Sequence, residues 1–202
     1  MAHYFTDNTD MAENRRIHEV EFGDRMYSFT TDNGVFSKTG ADRGSMILLK
    51  TVLKGEDVRG DVLDLGCGYG LIGVIVKKER PEVCVTAADI NPRAAELAAF
   101  NAEANGVKTD VRVSDSFLQI PEQFDCILVN PPIRAGKQVI YHMFEEAYEH
   151  LRRYGTLYTV IRRKQGAESA VKKLEEVFGN CEITERDKGY WVLKNTRLTD
   201  GK

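Results

Sequence analysis

Cysteine is scarce in this chain. Its four cysteines, Cys67, Cys84, Cys126 and Cys181, are scattered over 202 residues, and none has the close spacing of a zinc knuckle or a redox pair. That pattern points to incidental thiols in a reducing compartment and predicts no metal. Long apolar runs are missing too. Nothing approaches the roughly 20 residues of a membrane span, and the polar stretch Met1–Arg16 lacks a signal peptide's apolar centre and reads as frayed. A cytoplasmic protein with no membrane partner is expected. Nor is there an overall excess of positive charge. A net charge of −3 argues against a chain basic throughout, although a local basic patch stays open.

What remains is ordinary globular composition, 42% apolar and 29% charged, enough for one α/β domain without disulfide support. Residues 1–40 read as an N-terminal extension. Within it, Glu19–Phe22 and Met26–Phe29 alternate around Gly23-Asp24 as a short β-hairpin. Residues 41–202 read as the main domain, with Asp42 capping a first helix that carries Met46, Ile47, Leu49, Val52 and Leu53.

From Asp61 apolar strands alternate with helices. The strands are Val62–Leu65, Val83–Ala88, Asp110–Ser114, Phe124–Val129, Thr156–Ile161, Cys181–Glu185 and Tyr190–Leu193. The helices are Leu71–Lys78, Pro92–Asn105, Val139–Leu151 and Gln165–Phe178. Such alternation predicts a mostly parallel seven-stranded sheet with helices on both faces. Only Asp187-Lys188-Gly189 separates the last two strands, so they should close as a hairpin and leave one strand antiparallel.

The strongest local motif is Asp64-Leu65-Gly66-Cys67-Gly68-Tyr69-Gly70, between the first sheet strand and its helix. Its glycines allow tight turning and close backbone approach to a ligand beyond the strand ends. A dinucleotide fits poorly. Gly68-Tyr69-Gly70-Leu71-Ile72-Gly73 satisfies the dinucleotide pattern, but counted from Gly66, the first glycine after the strand, the sixth position is Leu71, and Asp64 would repel a pyrophosphate while attracting an ammonium group. Asp89, followed by Ile90, ends the next strand and offers a carboxylate to the two hydroxyls of a ribose, or else a cap for the helix at Pro92. After the third strand, Asp115 offers an acceptor for an adenine amino group, with Ser116 beside it and Phe117 packed nearby.

The fourth strand runs into Asn130-Pro131-Pro132-Ile133. Two successive prolines remove two backbone donors and stiffen the main chain. Carbonyl oxygens and the Asn130 amide are left to hold a planar NH₂ group and aim its lone pair at an incoming methyl carbon. No strong base is needed, because the nitrogen sheds its proton after transfer.

In order and spacing, Asp64–Gly70, Asp89, Asp115 and Asn130–Ile133 resemble the class I S-adenosylmethionine-dependent methyltransferases that act on nitrogen. More narrowly, the chain resembles the "methyltransferase small domain" group, which includes the guanine-N2 methyltransferases of ribosomal RNA. Gly34-Val35-Phe36-Ser37, Asp42-Arg43-Gly44-Ser45, Leu48-Leu49 and Gly189-Tyr190-Trp191-Val192-Leu193 belong to the same likeness, which covers about residues 17–195. It implies a Rossmann-like methyltransferase fold and S-adenosylmethionine held by Asp64, Gly66, Cys67, Gly68, Gly70, Asp89, Ile90, Asp115, Ser116 and Asn130. It also implies chemistry at Asn130, Pro131, Pro132 and Ile133. The guanine-N2 enzymes typically carry Phe-His after the two prolines, where this chain has Ile133-Arg134, and several carry a second, degenerate domain.

For the substrate, Arg134, Lys137, Arg152, Arg153, Arg162, Arg163, Lys164, Lys172 and Lys173 outnumber Glu145, Glu146, Glu149 and Glu168, a local balance of +5. Arg134 and Arg162-Arg163-Lys164 follow strands at the edge that carries Asn130, as phosphate contacts to ribosomal RNA would. A solvated face would show the same run. The alternatives are a protein-glutamine methyltransferase, whose group usually has Tyr after the prolines, a small-molecule methyltransferase and a non-catalytic cofactor-binding module.

Overall fold

The computed structural model describes residues 14–35 and 41–199; most of the stretch read as frayed, and Phe36 and Ser37, lie outside them. The chain opens with β1 (Arg16–Phe22) and β2 (Arg25–Thr31), the antiparallel hairpin expected around Gly23-Asp24. Its register starts three residues earlier than read, at Arg16 opposite Thr31.

Next come α1 (Arg43–Val52), β3 (Asp61–Leu65), α2 (Leu71–Glu79), β4 (Cys84–Asp89), α3 (Pro92–Ala104), β5 (Asp110–Val113) and β6 (Phe124–Val129). The chain ends with α4 (Lys137–Glu149), β7 (Leu151–Arg162), α5 (Ala167–Phe178), β8 (Glu182–Asp187) and β9 (Tyr190–Thr196). Strands β3 to β9 form one sheet in the order β5-β4-β3-β6-β7-β9-β8. β3 to β7 run parallel, and β9 inserts antiparallel between β7 and β8. The mostly parallel seven-stranded sheet with one antiparallel strand is therefore as expected.

Alternation along the strands divides the core. Val62, Cys126 and Leu128 face the side covered by α1, α2, α3 and the hairpin, while Leu63, Leu65, Ile127 and Val129 face α4 and α5. The hairpin buries Val20, Phe22, Tyr27 and Phe29 in the same cluster as α1 to α3. Area removed from water stabilises at about 25 cal/mol per Å², so these aromatic side chains tie the N-terminal residues firmly to the sheet.

The largest boundary departure from the sequence reading is at β7. Leu151 begins β7, opposite Phe124, instead of ending α4, and Arg152 and Arg153 lie in a strand. The pairing slips between Phe124 and Cys126, Tyr154 adopts a φ of 64°, and a Cβ at Gly155 would come within 3.0 Å of the Phe124 carbonyl oxygen. The strand passes through a bulge that only glycine fits, which hid its first five residues in the periodicity.

Candidate active site

The chain leaves β3 towards β4 and β5 on one side, then returns to β6 and β7 on the other. Beyond the strand ends at that reversal, an open α/β sheet has a natural crevice. Leu65 pairs with Ala88 on one flank and Val129 on the other, so Gly66, Asp89 and Asn130 emerge side by side. A cleft opens there between the glycine loop and α1. It is lined by Gly66, Cys67, Gly68 and Tyr69, by Leu71 and Ile72 of α2, by Asp42 and Ser45, and by Asn130.

The glycines divide into two kinds. Gly66 and Gly68 have φ of 72° and 56°, and a Cβ on either would meet nothing within 4 Å, so both front open space. Gly70 has φ 90°, and a Cβ there would lie 3.0 Å from Ala98 Cα. It lets α2 approach α3.

The loop's amides are largely consumed inside the protein. Gly66 and Cys67 both donate to the Ala88 carbonyl, at 2.8 and 2.9 Å, and Gly70 donates to Cys67 at 2.9 Å. Gly68 donates to Asp89 Oδ2 at 2.8 Å. A dinucleotide loop needs spare amides for a pyrophosphate; this one offers few. It is a glycine cradle for a ligand that wants close backbone contact without a phosphate.

Asp64 sits behind the glycines that line the cleft. It is 1% exposed, lies beneath the loop and is not among the cleft's lining residues. Its Oδ2 accepts the Gly73 amide at 2.8 Å in the first turn of α2, whereas Oδ1 is buried and makes no hydrogen bond. Burial raises its carboxyl to about 7, opposed by the Gly73 N–H and reinforced by Asp89. The acid therefore shapes the loop from behind.

Asp89 is also raised by burial, with its oxygens held by the Gly68 and Asn91 amides. The N-cap of α3 is Asn91, not Asp89. Ile90, Asp115 and Ser116 lie beyond the cleft, at the ends of β4 and β5. Asp115 is exposed, while Ser116 donates to Glu146 Oε2 of α4 at 2.5 Å. Phe117 is buried and stacks on His150 at 4.3 Å, forming the floor of that loop.

Past β6, Pro131 is buried, and Ile133 to Ala135 form a single 3-10 turn in which Ala135 donates to the Pro132 carbonyl at 2.9 Å. Ile133 packs onto the core beneath α4, and Arg134 is exposed. Residues the sequence reading missed appear here. The Asn130 side-chain nitrogen donates to Asp42 Oδ2 at 2.8 Å and to Ser45 Oγ at 2.9 Å. Tyr69 lines the same cleft, its hydroxyl pushed up in pKa by burial and by Asp42. Asp42 was legible as a helix cap and as part of the family likeness, but nothing in one sequence says that a cap and a proline turn 88 residues apart will meet.

The nine cations do not form one patch. Arg152 bridges Asp61 and Asp125 at the amino ends of β3 and β6, the opposite edge of the sheet, and Arg153 stacks on Tyr154 nearby. Lys173 pairs with Glu145 at 2.6 Å. Arg134, Lys137, Arg162, Arg163 and Lys164 stay exposed at the carboxyl ends of β6 and β7, with Arg162 over the Tyr190 ring at 5.0 Å and Arg163 3.2 Å from Glu168. Among the described residues no group of histidine, cysteine and carboxylate side chains is arranged to hold a metal, and no helix is long and apolar enough to cross a membrane.

Comparison with known proteins adds four findings. The family model described as "methyltransferase small domain" matches residues 26–194. The uncharacterized protein YbxB of Bacillus subtilis is 40% identical over 200 residues, covering 97% of this chain and 98% of that protein. The ribosomal RNA small subunit methyltransferase C of Vibrio parahaemolyticus is 32% identical, over 83% of this chain and 48% of the relative. Among solved structures, the T. thermophilus 16S rRNA N2 G1207 methyltransferase in complex with AdoMet and guanosine superimposes with a TM-score of 0.81 at 27% identity. That match covers 91% of this chain and 50% of that one. The chain thus spans about half the length of these ribosomal RNA methyltransferases.

Proposed function

Because this chain belongs to the methyltransferase small domain family, whose members use S-adenosylmethionine, we propose that it methylates an exocyclic nitrogen, the N2 of a guanine in ribosomal RNA. The observation that carries the reading is the adjacency of Asn130-Pro131-Pro132 to the glycine cradle across the sheet reversal. The ribosomal RNA relatives and the guanosine-bound neighbour support the choice of acceptor.

The residues suit the cofactor. Gly66 and Gly68 front open space that a side chain would fill, and a bound sulfonium and ammonium would favour the ionised forms of Asp64 and Asp89, which burial alone disfavours. Gly66, Cys67 and Gly68 hold the methionine portion, Asp89 and Ile90 the ribose, and Asp115 and Ser116 the adenine. Bound there, S-adenosylmethionine supplies an electrophilic methyl group.

The chain's own part is orientation. Asn130 Oδ1 and the backbone carbonyl beside it accept the two hydrogens of the amine, directing its lone pair to the methyl carbon. Pro131 and Pro132 keep competing amide donors out of the site and hold that geometry, with Ile133 packed beneath. The proton leaves the nitrogen after transfer. Arg134, Arg162, Arg163 and Lys164 contact phosphates around the target nucleotide.

The test is tritiated methyl transfer from labelled cofactor into ribosomal subunits, 16S RNA, release factor and total protein, followed by nucleoside analysis. Label in N2-methylguanosine supports the reading; label only in glutamine or in small molecules rejects it.

A further inference from the structure

Asp42 uses one carboxylate oxygen for two elements. Its Oδ2 accepts the Ser45 amide at 2.9 Å, capping α1, and also accepts the Asn130 side-chain nitrogen at 2.8 Å from the end of β6. The Ser45 hydroxyl completes the arrangement. It accepts from Asn130 Nδ2 at 2.9 Å and donates to Asp42 Oδ2 at 3.3 Å. Both amide hydrogens of Asn130 are thus taken by the start of α1, and among the described residues nothing donates to its Oδ1.

An asparagine side chain keeps nearly the same shape after a half turn about its last bond, but its donor and acceptor ends exchange. The difference decides the chemistry. An acceptor amine carries hydrogens, so only the oxygen-forward amide can receive it; the reversed amide sets donor against donor. Reversal would also press Asn130 Oδ1 against the Asp42 carboxylate, acceptor against acceptor, in a partly buried site where such a mismatch is costly.

We infer that Asp42, seconded by Ser45, is a positioning residue that fixes the Asn130 amide with its oxygen towards the acceptor nitrogen. The inference rests on Asn130 being the acceptor's partner and adds what sets its direction. Gly44 bears on the same point. A Cβ there would lie 3.0 Å from Asp42 Oδ2 and 3.1 Å from Tyr190 Cε1, so a side chain between cap and hydroxyl would displace the carboxylate.

Three variants separate positioning from capping. Asp42→Ser retains a hydroxyl able to cap α1 but too short to reach Asn130. Ser45→Ala keeps the cap and removes one acceptor. Asp42→Asn keeps an oxygen for both donors. Two readouts are taken on each full-length variant. One is the pair of side-chain amide resonances of Asn130, identified by their loss in Asn130→Asp. The other is kcat and KM for methyl transfer to ribosomal small subunits.

In the wild type the Asn130 resonances should be shifted and protected from solvent exchange, and in Asp42→Ser they should become solvent-like. With circular dichroism unchanged, Asp42→Ser should lower kcat by about 10²-fold, the size of a misplaced reacting group, with a smaller change in KM. Ser45→Ala should fall between, and Asp42→Asn should recover most of the rate. Wild-type resonances or wild-type kcat in Asp42→Ser overturns the inference, and so does an Asp42→Asn variant as slow as Asp42→Ser. If Asp42→Ser unfolds, the resonances of Ser45→Ala decide, and unshifted signals there reject the clamp. The two readings fail separately. A wild-type chain that methylates no ribosomal RNA ends the guanine assignment, while the Asn130 resonances still report whether α1 holds the amide.

Discussion

Asn101 of α3 donates from Nδ2 to the carbonyl oxygen of Tyr69 at 2.8 Å, joining a fully buried helix side chain to the glycine loop. The same side chain pairs with both backbone groups of Thr30, accepting from its N–H at 2.8 Å and donating to its carbonyl at 2.9 Å. Four residues on, Asn105 does the same for Ser28 at 3.1 and 2.8 Å. Two amides one helical turn apart thus stand in for a neighbouring strand along β2. They fasten the N-terminal hairpin to the helix that buttresses the cofactor loop.

Replacing Asn101 with Ala should therefore be costly. It leaves the Thr30 N–H and the Thr30 carbonyl buried without their Asn101 partner and removes one donor from the Tyr69 carbonyl, a loss of about 2–4 kcal/mol at one to three for each orphaned group, less what relaxation recovers. Urea unfolding measures it. A loss below about 1 kcal/mol would show that the hairpin is not anchored through this side chain.

The glycines should separate by phenotype. Gly70→Ala strains a positive φ and drives a methyl group against Ala98, so the melting temperature should drop. Gly66→Ala strains its φ as well but meets no protein atom, so its main effect should be weaker S-adenosylmethionine binding, with a smaller thermal shift. Thermal unfolding and calorimetry on both variants check this; equal effects of the two on both quantities would contradict the division.

Asn130→Ala should leave cofactor affinity near wild type and reduce methyl transfer by about 10²–10³-fold, the usual cost of deleting one preorganised polar partner. Equilibrium binding together with single-turnover kinetics separates the two. A variant that keeps its rate would remove Asn130 from the chemistry.

Asp64 predicts a pH dependence. Its folded value of about 7 lies above the unfolded 3.8, so the folded chain binds this proton more tightly. That stability is complete below about pH 4 and is lost as pH rises through 7. Asp89 is raised as well and adds to the same trend. Asp64→Asn, which keeps an oxygen for the Gly73 amide, should flatten much of the decline and stabilise the free protein at pH 8. Unfolding free energies at stepped pH test it, and a slope equal to wild type would reject the assignment.

Arg162→Ala combined with Arg163→Ala should raise the apparent KM for RNA and flatten its salt dependence while sparing turnover at saturation. Arg162 should dominate, because Arg163 already has Glu168 for a partner. An unchanged salt slope would reduce the basic rim to a solvated face.

Much of this protein was legible in one dimension. Strand-helix alternation, the turn glycines and the three-residue link before Tyr190 are local signals, and they predicted the seven-stranded sheet with its antiparallel β9. The motifs at Asp64, Asp89 and Asn130 pointed to the carboxyl edge because each follows a strand, and parallel strands end together. Other features depended on packing. Periodicity cannot register a bulge, so β7 began earlier than read, and charge counting cannot tell the two ends of a strand apart, so Arg152 was grouped with cations on the opposite edge. That Asp64 caps α2 from beneath the loop, that Asn101 binds Tyr69, and that Asp42 holds Asn130 were decided only when distant segments met. Hydrogen-bond partners are set by position in space, and the sequence determines that position only through the whole fold.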